Sequence, residues 1–174
     1  MNIPDFKVTW DMPNKYTFQI PSVARFIEKN TVIQKLEYNK PPLRICDPFC
    51  GASKIAETCN DIRESGIDSL VWLKDLPTGE FDIVLFDPPY TPRQLKECYD
   101  SIGLSLHDTT SGYWAKLKDE VARMTRPDGI VLSFGYGASQ VGMKRGFYIY
   151  DGLVVLHGGN HNATICMAEQ WGNL

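Results

Sequence analysis

An apolar run followed at once by two prolines constrains the fold of this chain more than any other feature. Residues 81–86 are rich in β-branched and aromatic side chains, which predicts a buried strand, central in a parallel sheet. Pro88 and Pro89 cannot donate backbone hydrogen bonds to a sheet, so the strand must end before them. The sequence therefore predicts that Asp87 and Tyr90 lie at the carboxyl end of a central strand, where ligands bind in open α/β sheets.

The tetrapeptide Asp87-Pro88-Pro89-Tyr90 suits a narrow kind of chemistry. The exocyclic amine of a nucleobase is a weak nucleophile because its lone pair is delocalised into the ring. Asp87 and the Pro88 carbonyl can accept the two N–H hydrogens of such an amine, and Tyr90 offers a face for stacking an extruded base. The alternative is an ordinary loop in which Asp87 caps a helix over residues 91–101. The tetrapeptide alone does not separate these two interpretations.

Composition limits the compartment and the partners. The 174 residues suit one domain, and we predict a single domain over residues 1–174. The net charge of −3 gives no global basic field, which weakens a nucleic-acid partner without excluding it, because local patches suffice. Five cysteines without a C-x-x-C pair, with no signal peptide and no membrane-length apolar run, predict a reducing cytoplasm and no membrane contact. We predict no metal site, since Cys46 and Cys50 fit a strand and its loop, and His157 and His161 fit a glycine-rich turn.

The remaining pattern predicts alternating helices and strands. Residues 1–20 are mostly irregular, residues 100–111 fit a polar loop, and residues 126–129 fit a turn. Strands are predicted at residues 17–20, 43–46, 130–134, 153–156 and 163–168, and helices at residues 22–29 or further, 70–73, 93–99 and 113–125. The last two strands flank residues 157–162 and predict an antiparallel hairpin. The fold class is therefore α/β: a sandwich with a mainly parallel sheet and an antiparallel edge hairpin, the outline of a class I (Rossmann-like) methyltransferase.

Two motifs give the chain a resemblance to a known family. Residues 87–90 match the catalytic tetrapeptide of the amino-methyltransferases that use S-adenosylmethionine, and Asp-Pro-Phe-Cys-Gly at 47–51 matches the first half of their cofactor motif, D-P-F-x-G-x-G. Within that family the chain resembles the N6-adenine DNA methyltransferases, in the subset whose cofactor motif comes first. It is also similar to short adenine methylases of phages and other mobile elements, which have counterparts of residues 87–99 and 157–162. The resemblance covers residues 10–170 and implies methyl transfer from S-adenosylmethionine to adenine N6 in DNA.

The resemblance also implies roles for individual residues. Its catalytic residues are Asp87, Pro88, Pro89 and Tyr90. Its cofactor-binding residues, some of them in an N-terminal cofactor-side segment within residues 1–40, are Lys15, Thr17, Phe18, Asp47, Pro48, Phe49, Gly51, Asp61, Asp68, Ser69 and Leu70. Contacts to the substrate are expected from Arg93, Lys96, Asn160 and His161.

Residue chemistry supports the cofactor assignments. Asp47 can accept hydrogen bonds from the cofactor's amino group, directly or through water, and Phe49 can flank its methionine end. Gly51 lets the backbone approach a ligand closely, because it has no Cβ. Asp61, near the end of the predicted second strand, is our choice for the ribose hydroxyls, and Asp68 for the adenine amine. The reverse assignment of these two carboxylates stays open.

The cofactor motif departs from the family pattern. Ala52-Ser53 stand where Ser-Gly is usual, and only thirteen residues separate Asp47 from Asp61. Residues 55–59 therefore fit either a clipped helix or the approach to a second strand that ends at Asn60-Asp61. In either case the first helix is short or irregular, so the cofactor's carboxylate would lose the helix N-terminus that usually binds it.

The four candidate substrate residues also have interpretations that involve no contact with a substrate. Arg93 and Lys96 could simply be solvated charges of a helix, and residues 157–162 could be a plain hairpin connection. Nothing resembles a separate target-recognition domain, so target contacts must come from loops at the active-site edge or from a second copy in a possible homodimer. Residues 100–112 are expected to order over the target base. Other interpretations are RNA adenine or cytosine N4 as substrate, and a nucleic-acid-binding subunit without turnover.

Overall fold

One mixed sheet with helices on both faces forms the framework of the protein. The computed structural model describes residues 4–38, 42–104, 111–137 and 139–172. The strands are β1 (Asp5–Trp10), β2 (Ile45–Asp47), β3 (Thr58–Cys59), β4 (Phe81–Phe86), β5 (Thr125–Gly135), β6 (Phe147–Leu156) and β7 (Thr164–Trp171). The helices are α1 (Pro21–Tyr38), α2 (Ile62–Ser65), α3 (Ser69–Lys74), α4 (Pro92–Asp100) and α5 (Ser111–Met124), with 3-10 turns at Thr17–Gln19 and Met143–Arg145. Within the described ranges, no helix is both long and apolar enough to cross a bilayer.

The strand order is β1-β6-β7-β5-β4-β2-β3, which confirms the predicted fold class. Strand β7 runs antiparallel to both of its neighbours, and the other neighbouring pairs are parallel. The β6–β7 hairpin was predicted at the edge of the sheet, but β1 pairs with β6 outside it. No strand was predicted at β1, because the flanking Pro4 and Pro13 indicated an irregular segment and its partner strand lies far along the chain.

The chain reverses its direction of winding between β2 and β4. From β2 the chain moves outward to the edge strand β3, and it then returns to form β4 on the other side of β2. The connections that leave β2 and β4 therefore diverge and open a crevice at the carboxyl ends of these two strands. This is the topological switch point at which open α/β sheets bind their ligands.

Strand β4 is buried along its whole length, as the sequence predicted. Val84 and Phe86 pack into the core cluster that includes α3, α4 and α5, while Ile83 and Leu85 pack into the cluster that includes α1. This alternation is the two-residue period of a strand covered on both faces. Full burial stabilises the fold by about 1.5–3 kcal/mol for each large apolar side chain, which fixes the strand that ends at Asp87.

Two local predictions were wrong. Residues 17–20 do not form a strand: Gln19 N donates to the Tyr16 carbonyl over 3.0 Å and closes a 3-10 turn, directly before Pro21 begins α1. Residues 126–129 lie within β5 instead of forming a separate turn. Asp128 has a positive φ of 62°, and the register with β4 shifts there, so the local turn signal marks a bulge inside the strand.

The segment between β2 and β3 is irregular, as expected. The structure turns at residues 48–52 and has no helix before β3, so the second-strand interpretation is confirmed and the clipped helix was wrong. Strand β3 ends at Cys59, and Asp61 caps α2 instead of ending the strand. In the loop predicted at residues 100–112, residues 105–110 lie outside the described residues.

Candidate active site

A cleft of about 680 Å³ opens at the switch point, where β2 and β4 end. Its walls come from the segment before α1, the loop after β2, the starts of α2 and α3, the tetrapeptide after β4, and one side of α4. The predicted site residues that line it are Lys15, Thr17, Phe18, Pro48, Phe49, Gly51, Asp61, Asp68, Ser69, Asp87, Pro88, Pro89 and Tyr90. The fold thus brings most of the predicted cofactor residues and the whole tetrapeptide to one place.

Asp47 ends β2 and is fully buried beside this cleft. Its Oδ1 accepts a hydrogen bond from Phe49 N over 3.0 Å, while its Oδ2 has no partner among the described residues. The pKa of Asp47 is raised to about 7, mainly by burial; the hydrogen bond from Phe49 N lowers it, and the nearby carboxylates of Asp87 and Asp61 contribute to the rise. The site therefore contains a buried oxygen with an unused capacity to accept a hydrogen bond.

Gly51 and Asp61 face each other across the loop after β2. Gly51 has a φ of +49°, and a Cβ placed on it would lie 3.6 Å from Asp61 Oδ2, which is an ordinary contact. Glycine is therefore favoured here by its backbone conformation and not by crowding. Asp61 Oδ1 caps α2 by accepting from Arg63 N over 2.7 Å. Its Oδ2 makes no hydrogen bond to the described residues and is left for a ligand.

Asp68 is engaged by protein groups on both oxygens. Its Oδ1 caps α3 by accepting from Val71 N over 3.1 Å. Its Oδ2 accepts from the hydroxyl of Tyr113 over 2.7 Å and from the hydroxyl of Tyr99. Burial, followed by these contacts with Asp68, raises the pKa of both tyrosines. Asp68 thus ties α3, α4 and α5 together at the cleft wall.

The two predicted cofactor residues that follow Asp68 differ in their contact with the cleft: Ser69 lines it and Leu70 does not. The hydroxyl of Ser69 is buried and donates to the Pro48 carbonyl over 2.9 Å, which fixes the loop after β2 against the start of α3. Leu70 does not line the cleft, because its side chain packs into the core with Leu73 and Phe81. The placement of Leu70 as a contact residue therefore lacks support from the geometry.

Asn60 holds this part of the site together, and the sequence carries no signal for it beyond its place before Asp61. Its backbone pairs with Asp47 and Cys50 over 3.0 Å each. Its buried side chain donates to the Ile67 carbonyl over 3.2 Å and accepts from the Ser65 hydroxyl over 2.7 Å. Through its backbone and its side chain, Asn60 therefore joins the loop after β2 to the connection between α2 and α3.

The tetrapeptide is held rigidly by its surroundings. The Tyr90 hydroxyl donates to Asp87 Oδ1, and the Tyr90 backbone N donates to Gln94 Oε1 over 3.0 Å. Trp114 Nε1 donates to the Pro89 carbonyl over 3.0 Å. The Pro88 carbonyl accepts no hydrogen bond from the described residues. It remains open to a donor in the cleft.

Burial controls the electrostatics of Asp87. It raises the pKa of this carboxyl, and hydrogen bonds from Tyr90 and Thr17 work in the opposite direction. Burial also raises the pKa of Tyr90, followed by the effect of Asp87. The oxygens of Thr17 and Tyr90 lie 3.4 Å apart, so the N-terminal segment reaches the catalytic motif directly.

The N-terminal segment is anchored beside the catalytic motif. Asp11 Oδ2 accepts from Ser22 N at the start of α1 over 2.8 Å. His157 Nδ1 lies 2.9 Å from the Asp11 carbonyl, and its Nε2 lies 2.9 Å from the Thr164 hydroxyl. These contacts connect the segment that carries Thr17 to both α1 and the β6–β7 hairpin.

Comparisons with known proteins agree on the fold. No protein-family model matches the chain, and no curated protein matches it. Among solved structures, TrmN from Thermus thermophilus has a TM-score of 0.50 at 17% identity over 88% of this chain, which spans only 49% of TrmN. The 1,6-didemethyltoxoflavin-N1-methyltransferase of Burkholderia thailandensis was solved with 1,6-didemethyltoxoflavin and S-adenosylhomocysteine. It has a TM-score of 0.52 at 11% identity, and the aligned region covers 94% of this chain and 93% of the methyltransferase. The fold is that of the class I methyltransferases.

In this class I fold, a second cleft of about 380 Å³ adjoins the first on another side of the tetrapeptide. Pro88 and Tyr90 line both clefts. The remaining lining residues are Phe86, Pro92, Trp114, Lys118, Gly135, Tyr136, Gly137 and Ser139. Tyr136 was not among the predicted site residues, although an aromatic residue almost directly after a predicted buried strand is a signal for such a position.

The four predicted substrate residues lie outside both clefts. Arg93 pairs with Glu97 over 2.8 Å and Lys96 with Asp100 over 2.6 Å, on the exposed face of α4. Both pairs are exposed, so solvent screens them strongly. Asn160 and His161 are exposed on the connection between β6 and β7, away from the tetrapeptide. Their contact with substrate stays a prediction.

Proposed function

We propose that this protein binds S-adenosylmethionine in the larger cleft and transfers its methyl group to the N6 amine of adenine in DNA. The observation that carries the proposal is the placement of Asp87-Pro88-Pro89-Tyr90 and residues 47–51 around one cleft at the switch point. The B. thailandensis structure, whose fold is similar, was solved with S-adenosylhomocysteine and supports this choice of cofactor. A cytoplasmic location, a single domain and a possible homodimer remain part of the proposal.

The residues of the larger cleft fit an adenosyl cofactor. Asp47 lies beside the cleft and does not line it, so a hydrogen-bond donor of the ligand would reach its buried, unpartnered Oδ2 through water or after a shift of the loop at residues 48–51; such a bond is favourable, since a buried polar oxygen without a partner is not. Asp61 offers its free Oδ2 to the ribose hydroxyls. The carboxylate of Asp68 already binds two tyrosines, so the geometry favours Asp61 for the ribose. Asp68 keeps its proposed role near the adenine amine.

The end of the cofactor opposite the adenine has no helix N-terminus to bind its carboxylate, since no helix follows β2 directly within the described residues. Lys15 and Lys54 both line the cleft and are exposed. We assign the carboxylate to this pair of cations. Point charges on flexible side chains then replace the fixed dipole of a helix.

Asp87 and the Pro88 carbonyl orient the target amine in this proposal. When bound, S-adenosylmethionine supplies an electrophilic methyl group, and the two oxygens accept the N–H hydrogens so that the nitrogen lone pair points at it. The raised pKa of Asp87 makes this carboxylate a better proton acceptor once the nitrogen carries the new methyl group. Tyr90 would yield its bond to Asp87 as the amine arrives and offer its ring for stacking.

A nucleic-acid-binding subunit without turnover is the second candidate. The altered glycine motif and the missing helix after β2 favour it. The rigid support of the tetrapeptide by Trp114 and Gln94 argues against it, because binding alone does not require an accurately placed carboxylate.

The test is methyl transfer by the purified protein. Labelled S-adenosylmethionine would be offered with unmodified duplex DNA, single-stranded DNA and RNA, and the modified nucleoside identified by mass spectrometry. We expect N6-methyladenine in DNA, absent with Asp87→Ala and present with Asp75→Ala, a matched change of an exposed carboxylate outside both clefts. Label in RNA or at cytosine N4 would reassign the substrate. Cofactor binding without label in any nucleic acid would support the second candidate.

A further inference from the structure

Tyr136 covers the ring of Tyr90 on the side of the second cleft. The two ring centroids lie 4.3 Å apart, with an angle of 46° between the planes. Tyr136 directly follows Gly135, the last residue of β5, and β5 is the parallel neighbour of β4. Two adjacent strands therefore deliver two tyrosines to the same edge of the sheet, where their rings are in contact.

This contact leaves no room for a base between the rings. A planar base needs about 3.5 Å on each face, so the two rings would have to lie about 7 Å apart. A base can therefore stack on this side of Tyr90 only after Tyr136 has moved.

The surroundings of Tyr136 permit that movement. The side chain is 43% exposed, and its hydroxyl makes no hydrogen bond to the described residues. A Cβ on Gly137 would meet nothing within 4 Å, so the backbone on that side is uncrowded. Gly135 belongs to β5 and pairs with Ile165 of β7, which fixes the backbone on the other side. The Tyr136 side chain can thus turn on a backbone that is held at one end.

The second cleft is large enough to hold a planar base beneath a displaced Tyr136 side chain. Its volume of about 380 Å³ is in the range of small-molecule sites, and Trp114 forms a wall held in place by its bond to the Pro89 carbonyl. Pro88 and Tyr90 line both clefts, whereas Asp87 lines only the larger one, so a ring bound in the second cleft must pass its amine between Pro88 and Tyr90 to reach Asp87.

We propose that Tyr136 is a positioning residue for the target base. It lies over Tyr90 when no base is bound, turns away as the base enters, and stacks on the outer face of the base, which is then held between two tyrosines. This inference rests on the proposed function, because it requires a planar aromatic amine as substrate.

The substitution Tyr136→Ala separates this role from a structural one. Losing one ring stacked on the base should raise the KM for DNA about 10-fold. The effect is near the lower end of the range for base stacking, because the substitution also removes the contact between Tyr136 and Tyr90 that the base must displace. The Kd for S-adenosylhomocysteine should not change. Tyr136→Phe should restore the KM, since it keeps the ring. Val32→Ala, an exposed change on α1, is the control.

A fluorescent base analogue gives a second readout. With 2-aminopurine at the methylated position, stacking between two tyrosines should keep the fluorescence low in the wild-type complex, and Tyr136→Ala should raise it several-fold. Wild-type methylation with an unchanged KM and unchanged fluorescence in Tyr136→Ala would overturn the inference and leave the proposed function intact. Failure of the wild-type protein to methylate any DNA or RNA would overturn both.

Discussion

The substitution Asp47→Asn should stabilise the ligand-free protein at neutral and alkaline pH. In the folded protein the pKa of Asp47 is raised from 3.8 to about 7, mainly by burial. Above pH 7 the fold must bury a charge that the unfolded chain exposes without penalty. The stability contributed by this site is therefore full below about pH 4 and falls as the pH rises from 4 to 7. The amide introduced by the substitution never ionises, so the stability of the variant should not show this fall.

The size of the effect follows from the pKa. At 1.36 kcal/mol per pKa unit, the rise to about 7 corresponds to about 4 kcal/mol. Asparagine keeps the oxygen that accepts from Phe49 N, but it places an amide NH₂ where the unpartnered Oδ2 lies, which costs about 1–3 kcal/mol. The net gain at pH 8 is about 2 kcal/mol, or about 4–8 °C in Tm. At pH 5 the two proteins should have similar stability.

Urea unfolding of the ligand-free protein at pH 5 and pH 8 measures this difference. Asp75→Asn, a change of an exposed carboxylate, is the matched control and should leave the wild-type pH dependence in place. S-adenosylhomocysteine should raise the Tm of the wild type more than that of Asp47→Asn, because the amide cannot accept the donor that Oδ2 is proposed to bind. If the free energies of unfolding of variant and wild type differed equally at both pH values, the buried charge would not be at Asp47.

Three further changes test the rest of the site. Asp87→Ala should lower kcat about 100–1000-fold while the Kd of S-adenosylhomocysteine stays unchanged, and near-normal turnover would refute its role. Asp61→Ala should weaken the binding of S-adenosylhomocysteine in calorimetric titration. Asp68→Ala should mainly lower the Tm, because it leaves two tyrosine hydroxyls without their acceptor. The reverse pattern would assign the ribose to Asp68 and the adenine amine to Asp61. Reversing Arg93 and Lys96 to Glu should weaken DNA binding and flatten the dependence of log Kd on log salt by about one for each lost phosphate contact, and an unchanged slope would move the DNA path elsewhere.

The parts of the fold that the sequence predicted carry their signal locally. Strand β4 is a β-branched and aromatic run stopped by two prolines, and the cofactor motif at residues 47–51 follows the short apolar run at residues 43–46. Strand β1 was missed although Phe6, Val8 and Trp10 alternate with polar residues, because so short an alternation becomes a strand only by pairing with β6 near the other end of the chain. The hydroxyls of Tyr99 and Tyr113 on Asp68, and the ring of Tyr136 on Tyr90, depend on the same kind of distant packing.

The shortened connection between β2 and β3 explains why polar residues carry so much of the cofactor side. A crossover helix would hold the loop after β2 by packing an apolar face on the sheet, and the thirteen residues between Asp47 and Asp61 form none. Asn60, Ser69 and the capping carboxylates of α2 and α3 hold the loop through hydrogen bonds instead. Each such bond contributes about 1 kcal/mol, and the bond from Arg63 N to Asp61 Oδ1 lies next to an oxygen that the cofactor is proposed to bind. Cofactor binding should therefore add hydrogen bonds to this network and stabilise the loop at residues 48–57.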